Sequence, residues 1–155
     1  MTKKCLIAGV GNTLRSDDGI GIKVLTYLKK NLPSKNFDFL EFANKSIDII
    51  NYITKYSGTF IIDTVQLNMP PGSVKSFGLE DININPSINK TSSHDISLKD
   101  LLNLLNTLDI KNKVYIIGMQ PKNLSYGEKL SEEVYGSFPV ILSEIKKLYK
   151  LVTTS

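Results

Sequence analysis

Apolar residues recur along the chain in two alternating patterns, short unbroken runs and stripes at helical spacing. Lys4–Val10 reads as a buried strand, because its apolar run meets a Gly-x-Gly turn at Gly9-Val10-Gly11. Asp18–Asn31 reads as a helix with Ile20, Val24, Leu25 and Leu28 on one stripe, and Pro33 blocks its continuation. Phe37–Phe42 is a second strand. Ser46–Tyr56 reads as a helix with Ser46 as N-cap and Ile47, Ile50 and Ile53 near one face. Thr59–Asp63 is a short apolar third strand. After the Pro70-Pro71-Gly72 turn, Val74–Leu79 has the mixed pattern of a strand near a sheet edge. Glu80–Ser92 shows no period and reads as a long loop, the kind that often carries function. Ser97–Leu108 is a Leu-rich helix, and Lys113–Met119 is a strand ended by Pro121. A helix near Ser131–Tyr135 and another over Pro139–Leu151 close the chain, with Gly136 and Pro139 between them.

This alternation predicts a single α/β domain over 1–155, doubly wound, with a mainly parallel sheet and helices on both faces. Ligands in such sheets bind beyond the carboxyl ends of the strands, so the polar residues at those ends matter most. Composition agrees with a globular chain: 155 residues, 41% hydrophobic and 22% charged. No repeat, low-complexity tract or linker divides it. The net charge of +4 comes from 18 Lys and one Arg, but no basic run exceeds two residues. That spread describes a solvated surface better than a nucleic-acid footprint. No apolar run approaches the ~18 residues of a membrane span, so no membrane partner is expected. One cysteine excludes an internal disulfide, and Cys5–Val10 is too short for a signal peptide, so the cytoplasm is the expected compartment. One cysteine and one histidine also exclude a zinc finger, a CxxC redox site and a multi-His cage.

Gly9-Val10-Gly11 after a strand invites a dinucleotide-binding reading, but Leu14 stands where the third glycine is needed. Asp17 and Asp18 also sit at the start of the next helix, where they would repel a pyrophosphate. The same carboxylates suit a cation, or they cap the helix and complement its dipole. Asp63 emerges after three apolar residues at the same edge, and His94 follows the long loop. Asp18, Asp63 and His94 together could form an open site for a borderline divalent ion such as nickel or zinc. Taken singly, Asp63 is equally a loop or turn residue, and a lone loop histidine such as His94 is more often solvated or structural. Cys5 lies inside the first strand and reads as a small buried hydrophobe. No Gly-x-Ser-x-Gly elbow is present, so hydrolysis here would be metal-assisted rather than serine- or cysteine-dependent.

The segment Gly9-Val10-Gly11-Asn12-Thr13-Leu14-Arg15-Ser16-Asp17-Asp18-Gly19-Ile20-Gly21 resembles the opening motif of the hydrogenase maturation endopeptidases. The resemblance continues through Phe60-Ile61-Ile62-Asp63, Pro71-Gly72, Ser92-Ser93-His94 and Ile117-Gly118-Met119-Gln120-Pro121, in the family's order. It implies a doubly wound α/β fold and removal of a C-terminal extension from the large-subunit precursor of a [NiFe] hydrogenase after nickel insertion. It implies that Asp18, Asp63 and His94 recognise the nickel, which the substrate brings. Another divalent metal could substitute for it in crystals. Asp18 and Asp63 are the candidate catalytic groups; Asp17, Gly9, Gly11, Asn12 and Gly19 are supporting motif positions. Glu41-Phe42-Ala43-Asn44 departs from the Asp-Gly-Gly that the family commonly carries after the second strand. Two other readings remain, a nucleotide-binding α/β domain and a non-enzymatic metal chaperone for hydrogenase assembly.

Overall fold

The computed structural model describes residues 3–43, 46–78, 81 and 98–154. Five strands form one sheet: β1 Cys5–Val10, β2 Phe37–Phe42, β3 Gly58–Thr64, β4 Val74–Gly78 and β5 Lys113–Met119, in the order β2-β1-β3-β5-β4. Four strands run parallel, and β4 pairs antiparallel with β5 at the edge. The mixed pattern of Val74–Leu79 therefore marks an edge strand; Leu79 itself lies outside the described residues, as does the expected loop Glu80–Ser92 apart from Asp81.

The central strands are buried on both faces, and their side chains divide by parity as a pleated strand requires. Cys5 and Ile7 of β1 join one core with helices α1 (Ile20–Asn31) and α5 (Phe138–Thr153). Leu6, Ala8 and Val10 join the opposite core, with Ile49, Ile53 of α2 (Ile50–Ile53), and Leu101 and Leu105 of α3 (Leu98–Thr107). A one-turn helix α4 (Glu132–Tyr135) precedes α5.

Two helices differ from the sequence expectation. The predicted Ser46–Tyr56 helix is a 3-10 turn over Ser46–Ile49 followed by only four α-helical residues. Of the expected stripe Ile47, Ile50 and Ile53, only Ile53 is fully buried; it is joined by Ile49, four residues earlier, while Ile47 and Ile50 are half-buried. Tyr52 and Lys55 then turn the chain toward β3: Lys55 N–H donates to Tyr52 O at 2.9 Å. The first helix begins at Ile20 rather than Asp18, after a separate 3-10 turn over Ser16–Gly19.

That turn exists because α1 lies directly on the strand ends. A Cβ on Gly21 would collide with Val10 O and Ile62 O, and one on Gly9 would collide with Gly21 O. The helix backbone thus touches β1 and β3 with no side chain between. Gly11, at φ 150°, bends the chain out of β1, and a Cβ there would strike Asp18 O. β1 leads to β2 on one side, while β3 and β5 lie on the other. The ends of β1 and β3 therefore flank the topological switch point, where a crevice opens in such sheets.

Gly21→Ala is expected to destabilise the fold by about 3 kcal/mol or more, because backbone oxygens cannot move aside as a flexible side chain can. Gly136→Ala is the control. Its Cβ would find its nearest atom at 3.4 Å and its backbone is helical, so it should be neutral or stabilising by roughly 0.5 kcal/mol. Urea midpoints of both variants decide the point.

Candidate functional site

The described part of the site is assembled from three strand ends. After β1, Asn12 opens a tight turn: its Oδ1 accepts Leu14 N–H at 2.9 Å, and its carbonyl accepts Arg15 N–H at 3.1 Å. Ser16 then adopts φ 51°, an uncommon conformation for a residue other than glycine. It is held there by its N–H to Gly127 O at 2.8 Å and its hydroxyl to Ser125 O at 2.9 Å. Gly19 leaves room for Thr13, whose Cα would lie 3.0 Å from a Cβ at that position.

Asp17 and Asp18 follow, both buried, and they face different partners. Neither caps α1, whose N-cap is Gly19 with no side-chain hydrogen bond. The capping reading therefore fails for both. Asp17 Oδ2 accepts the N–H groups of Lys122 and Asn123, each at 2.8 Å, and Oδ1 accepts Ser131 N–H at 2.7 Å. The Ser131 hydroxyl bonds the same carboxylate. One carboxylate thereby grips both ends of the segment 122–131 that follows β5.

Asp18 points toward β3. Its Oδ1 accepts the Thr64 hydroxyl at 2.9 Å and its Oδ2 accepts Asn12 N–H at 3.0 Å. Asp63 is also buried, and its Oδ1 accepts Thr64 N–H at 2.8 Å. Thr64 therefore donates from its hydroxyl to one carboxylate and from its amide to the other. The structure brings Asp18 and Asp63 together at the switch point. His94 lies outside the described residues. Among the described residues no group of three His, Cys, Asp or Glu is placed to hold a metal ion. Two buried carboxylates with oriented oxygens still make a donor set of the oxygen type that a cation takes.

Sequence reasoning missed the residues that tie the loops together. Gln120 is buried; its Oε1 accepts Leu67 N–H at 2.6 Å and its Nε2 donates to Gln66 Oε1 at 3.0 Å. Its backbone binds the Pro70–Ser73 turn, through Gly72 N–H to Gln120 O and Gln120 N–H to Ser73 O, both at 2.8 Å. Its signals were a polar residue directly after an apolar strand and its place in the Ile117–Pro121 segment of the family resemblance, neither of which showed this bonding role. Thr64 carried none beyond its place next to Asp63.

Cys5 is fully buried in β1, at the strand end remote from Val10. Burial pushes its thiol up to about 11, opposed in part by a hydrogen bond with the Gly58 backbone. A thiol so protonated at neutral pH is a poor nucleophile.

The chain matches the family model described as hydrogenase maturation protease over residues 22–148. A Methanocaldococcus jannaschii protein, provisionally named as a hydrogenase maturation protease, is 31% identical over 145 residues, covering 85% of this chain and 80% of that protein. The hydrogenase expression/formation protein of Thiocapsa roseopersicina is 26% identical over 132 residues, and the match spans 83% of this chain but only 60% of that longer protein. The crystal structure of a hydrogenase 2 maturation peptidase from a Thaumarchaeota archaeon superposes with a TM-score of 0.69 at 28% identity, covering 95% of this chain and 98% of the other.

Two outcomes follow from this geometry. Asp17→Ala should cost about 3 kcal/mol or more, since it strands several buried N–H donors. Asp17→Asn should cost nearly as much, because its amide nitrogen meets donors rather than acceptors; the urea midpoint reports both. For Cys5 the folded pKa lies above the ordinary 9.0, so its contribution to stability is complete below pH 9 and is lost as pH rises toward 11. Comparing wild type with Cys5→Ala across that window should show a steeper alkaline loss in the wild type.

Proposed function

The chain belongs to the hydrogenase maturation protease family, and from that premise we propose that it removes the C-terminal extension of a [NiFe] hydrogenase large-subunit precursor after nickel has been inserted. Asp18, Asp63 and His94 recognise the nickel that the precursor carries. The observation that supports this reading is the pairing of Asp18 and Asp63 through Thr64 at the β1/β3 switch point.

The chemistry follows from the residue types. The ion arrives as part of the substrate, held by the precursor's cysteine thiolates. Two carboxylates and an imidazole are too few to hold an ion tightly alone, but they extend a shell that thiolates have begun. Recognition then depends on metal loading, and it brings the scissile peptide to the carboxyl edge of the sheet. Hydrolysis requires a water to add to the peptide carbonyl while a base accepts its proton. Asp18 and Asp63 are the candidate bases. Thr64 and the Asn12 amide orient them, so little reorganisation accompanies charge development. Cys5 takes no part, because it is buried and protonated.

A nucleotide-binding role has no support at the turn after β1, where buried aspartates stand at the place a phosphate would occupy. The test uses purified precursor with and without nickel, with the mature C-terminus read by mass spectrometry. The loaded precursor should be cut and the empty one spared. Asp18→Asn, Asp63→Asn and His94→Ala should each slow cleavage of the loaded precursor by roughly 10–100-fold, and Cys5→Ala should cut normally. Equal cleavage of both precursors, or full activity in all three site variants, rejects the mechanism. Nickel-dependent binding with no cleavage would identify a metal chaperone instead.

A further inference from the structure

Arg15 is the only arginine in a chain with 18 lysines, and it stands three residues before Asp18. Its carbonyl accepts Asp18 N–H at 3.1 Å, so one 3-10 turn separates the two. Its backbone forms an isolated parallel bridge with Gly127, in which Gly127 N–H donates to Leu14 O at 2.9 Å and Ser16 N–H donates to Gly127 O at 2.8 Å. Its Nε–H donates to Leu124 O at 3.2 Å. The guanidinium carbon lies 5.5 Å from the centre of the Tyr126 ring. Tyr126 is 86% exposed and neighbouring Leu14 is 58% exposed.

These facts fit poorly with a purely structural pair. A ring so exposed buries little surface and adds little to the fold. Yet the segment that carries it is fixed at both ends by the buried Asp17 carboxylate and at its middle by the Gly127 bridge. The chain thus holds an exposed aromatic ring, an apolar side chain and a planar cation rigidly at the turn that leads, within three residues, to Asp18. Arg and Tyr are the residue types that dominate recognition surfaces, and rigidity lowers the entropy lost on binding. Among the described residues the guanidinium bonds the protein through Nε–H, on the Leu124 carbonyl, and its Nη donors are those offered to a ligand.

We propose that Arg15 and Tyr126 form the substrate-reading platform of this protein. Arg15 donates to main-chain carbonyls of the precursor segment next to the scissile bond, and Tyr126 with Leu14 covers that segment's side chains. This rests on the reading of the chain as a precursor-cleaving peptidase. Asp17 is a positioning residue in this arrangement, acting through the 122–131 segment. The fork of the guanidinium matters as much as its charge, because lysine lacks both the Nε–H and the planar donor set.

The experiment measures cleavage kinetics on nickel-loaded precursor, together with binding of the intact precursor by calorimetry. Arg15→Gln, Arg15→Lys and Tyr126→Ala should each raise KM and the binding constant Kd by about tenfold, with kcat within about twofold. Tyr126→Phe, which keeps the ring, should recover most of the affinity lost in Tyr126→Ala. Thermal midpoints should stay within a few degrees of the wild type, which separates recognition from folding. Unchanged KM and Kd in all three variants, with the wild type cutting normally, overturns the platform and leaves the proposed function standing. A fall in kcat at constant KM also overturns it. A wild type that neither binds nor cuts the precursor removes both readings.

Discussion

The contact between the backbones of β1 and α1 sets the position of everything at the carboxyl edge. Gly9 and Gly21 face each other with no room for a Cβ on either, and Gly21 also lies against Ile62 O of β3. An ordinary helix packs on a sheet through a layer of side chains. Here that layer is absent at the helix start, so the turn between β1 and α1 is drawn down onto the strand ends. Asp17 and Asp18 occupy that turn and are buried as a result. Moving the helix outward by the thickness of one methyl group would lift both carboxylates away from their partners. Glycine spacing thus serves here the geometry of an acidic turn rather than the approach of a phosphate.

Two adjacent aspartates then diverge because a 3-10 turn points successive side chains in different directions. Asp17 meets only N–H and O–H donors from the segment after β5, and its charge is used up in structure. A buried carboxylate is expensive to dehydrate, but several short charge-assisted bonds offset the cost. Asp18 instead accepts from Asn12 N–H on Oδ2 and from the Thr64 hydroxyl on Oδ1. Those bonds fix its orientation. Adjacent positions in sequence therefore carry separate tasks, and the difference comes from what the neighbouring loop presents.

Much of this was legible in the residues. The apolar runs located the five described strands, and the mixed pattern of Val74 onward marked an edge strand, whose antiparallel pairing with β5 the pattern did not show. The alternation of strands and helices placed Asp18, in the turn after β1, and Asp63, near the end of β3, at one edge, because β1 and β3 run parallel. The helix from Ser46 was overestimated. Its Ile47, Ile50 and Ile53 pattern fits either a full helix or a 3-10 turn with one helical turn after it, and periodicity over so few residues does not distinguish them. Helix capping by Asp17 and Asp18 was a reasonable reading of carboxylates at a helix start. It failed because Asp17 is taken by donors of Lys122, Asn123 and Ser131, more than a hundred residues away, and Asp18 turns to Asn12 and Thr64. Long-range polar contacts leave no periodic trace, so Thr64, Gln120 and Ser131 could not be read from local pattern.

The same long-range contacts explain how three loops become one rigid surface. The loop after β1 is tied to the segment after β5 by Asp17, and to the end of β3 by Asp18 and Thr64. The loop after β3 is tied to the end of β5 by Gln120, whose carboxamide and backbone together bind Leu67, Gln66, Gly72 and Ser73. Each tie runs through a buried polar side chain, and Asp17 and Gln120 each serve two or more groups of the neighbouring segment. Apolar contacts could bury as much surface, but they would tolerate sliding between the loops. Directional bonds to backbone N–H groups do not, since a shift of about 1 Å takes a hydrogen bond out of its range. The described residues of the edge combine a two-layer apolar core beneath, which supplies stability, with a polar lattice above, which fixes the distance and orientation between Asp18 and Asp63.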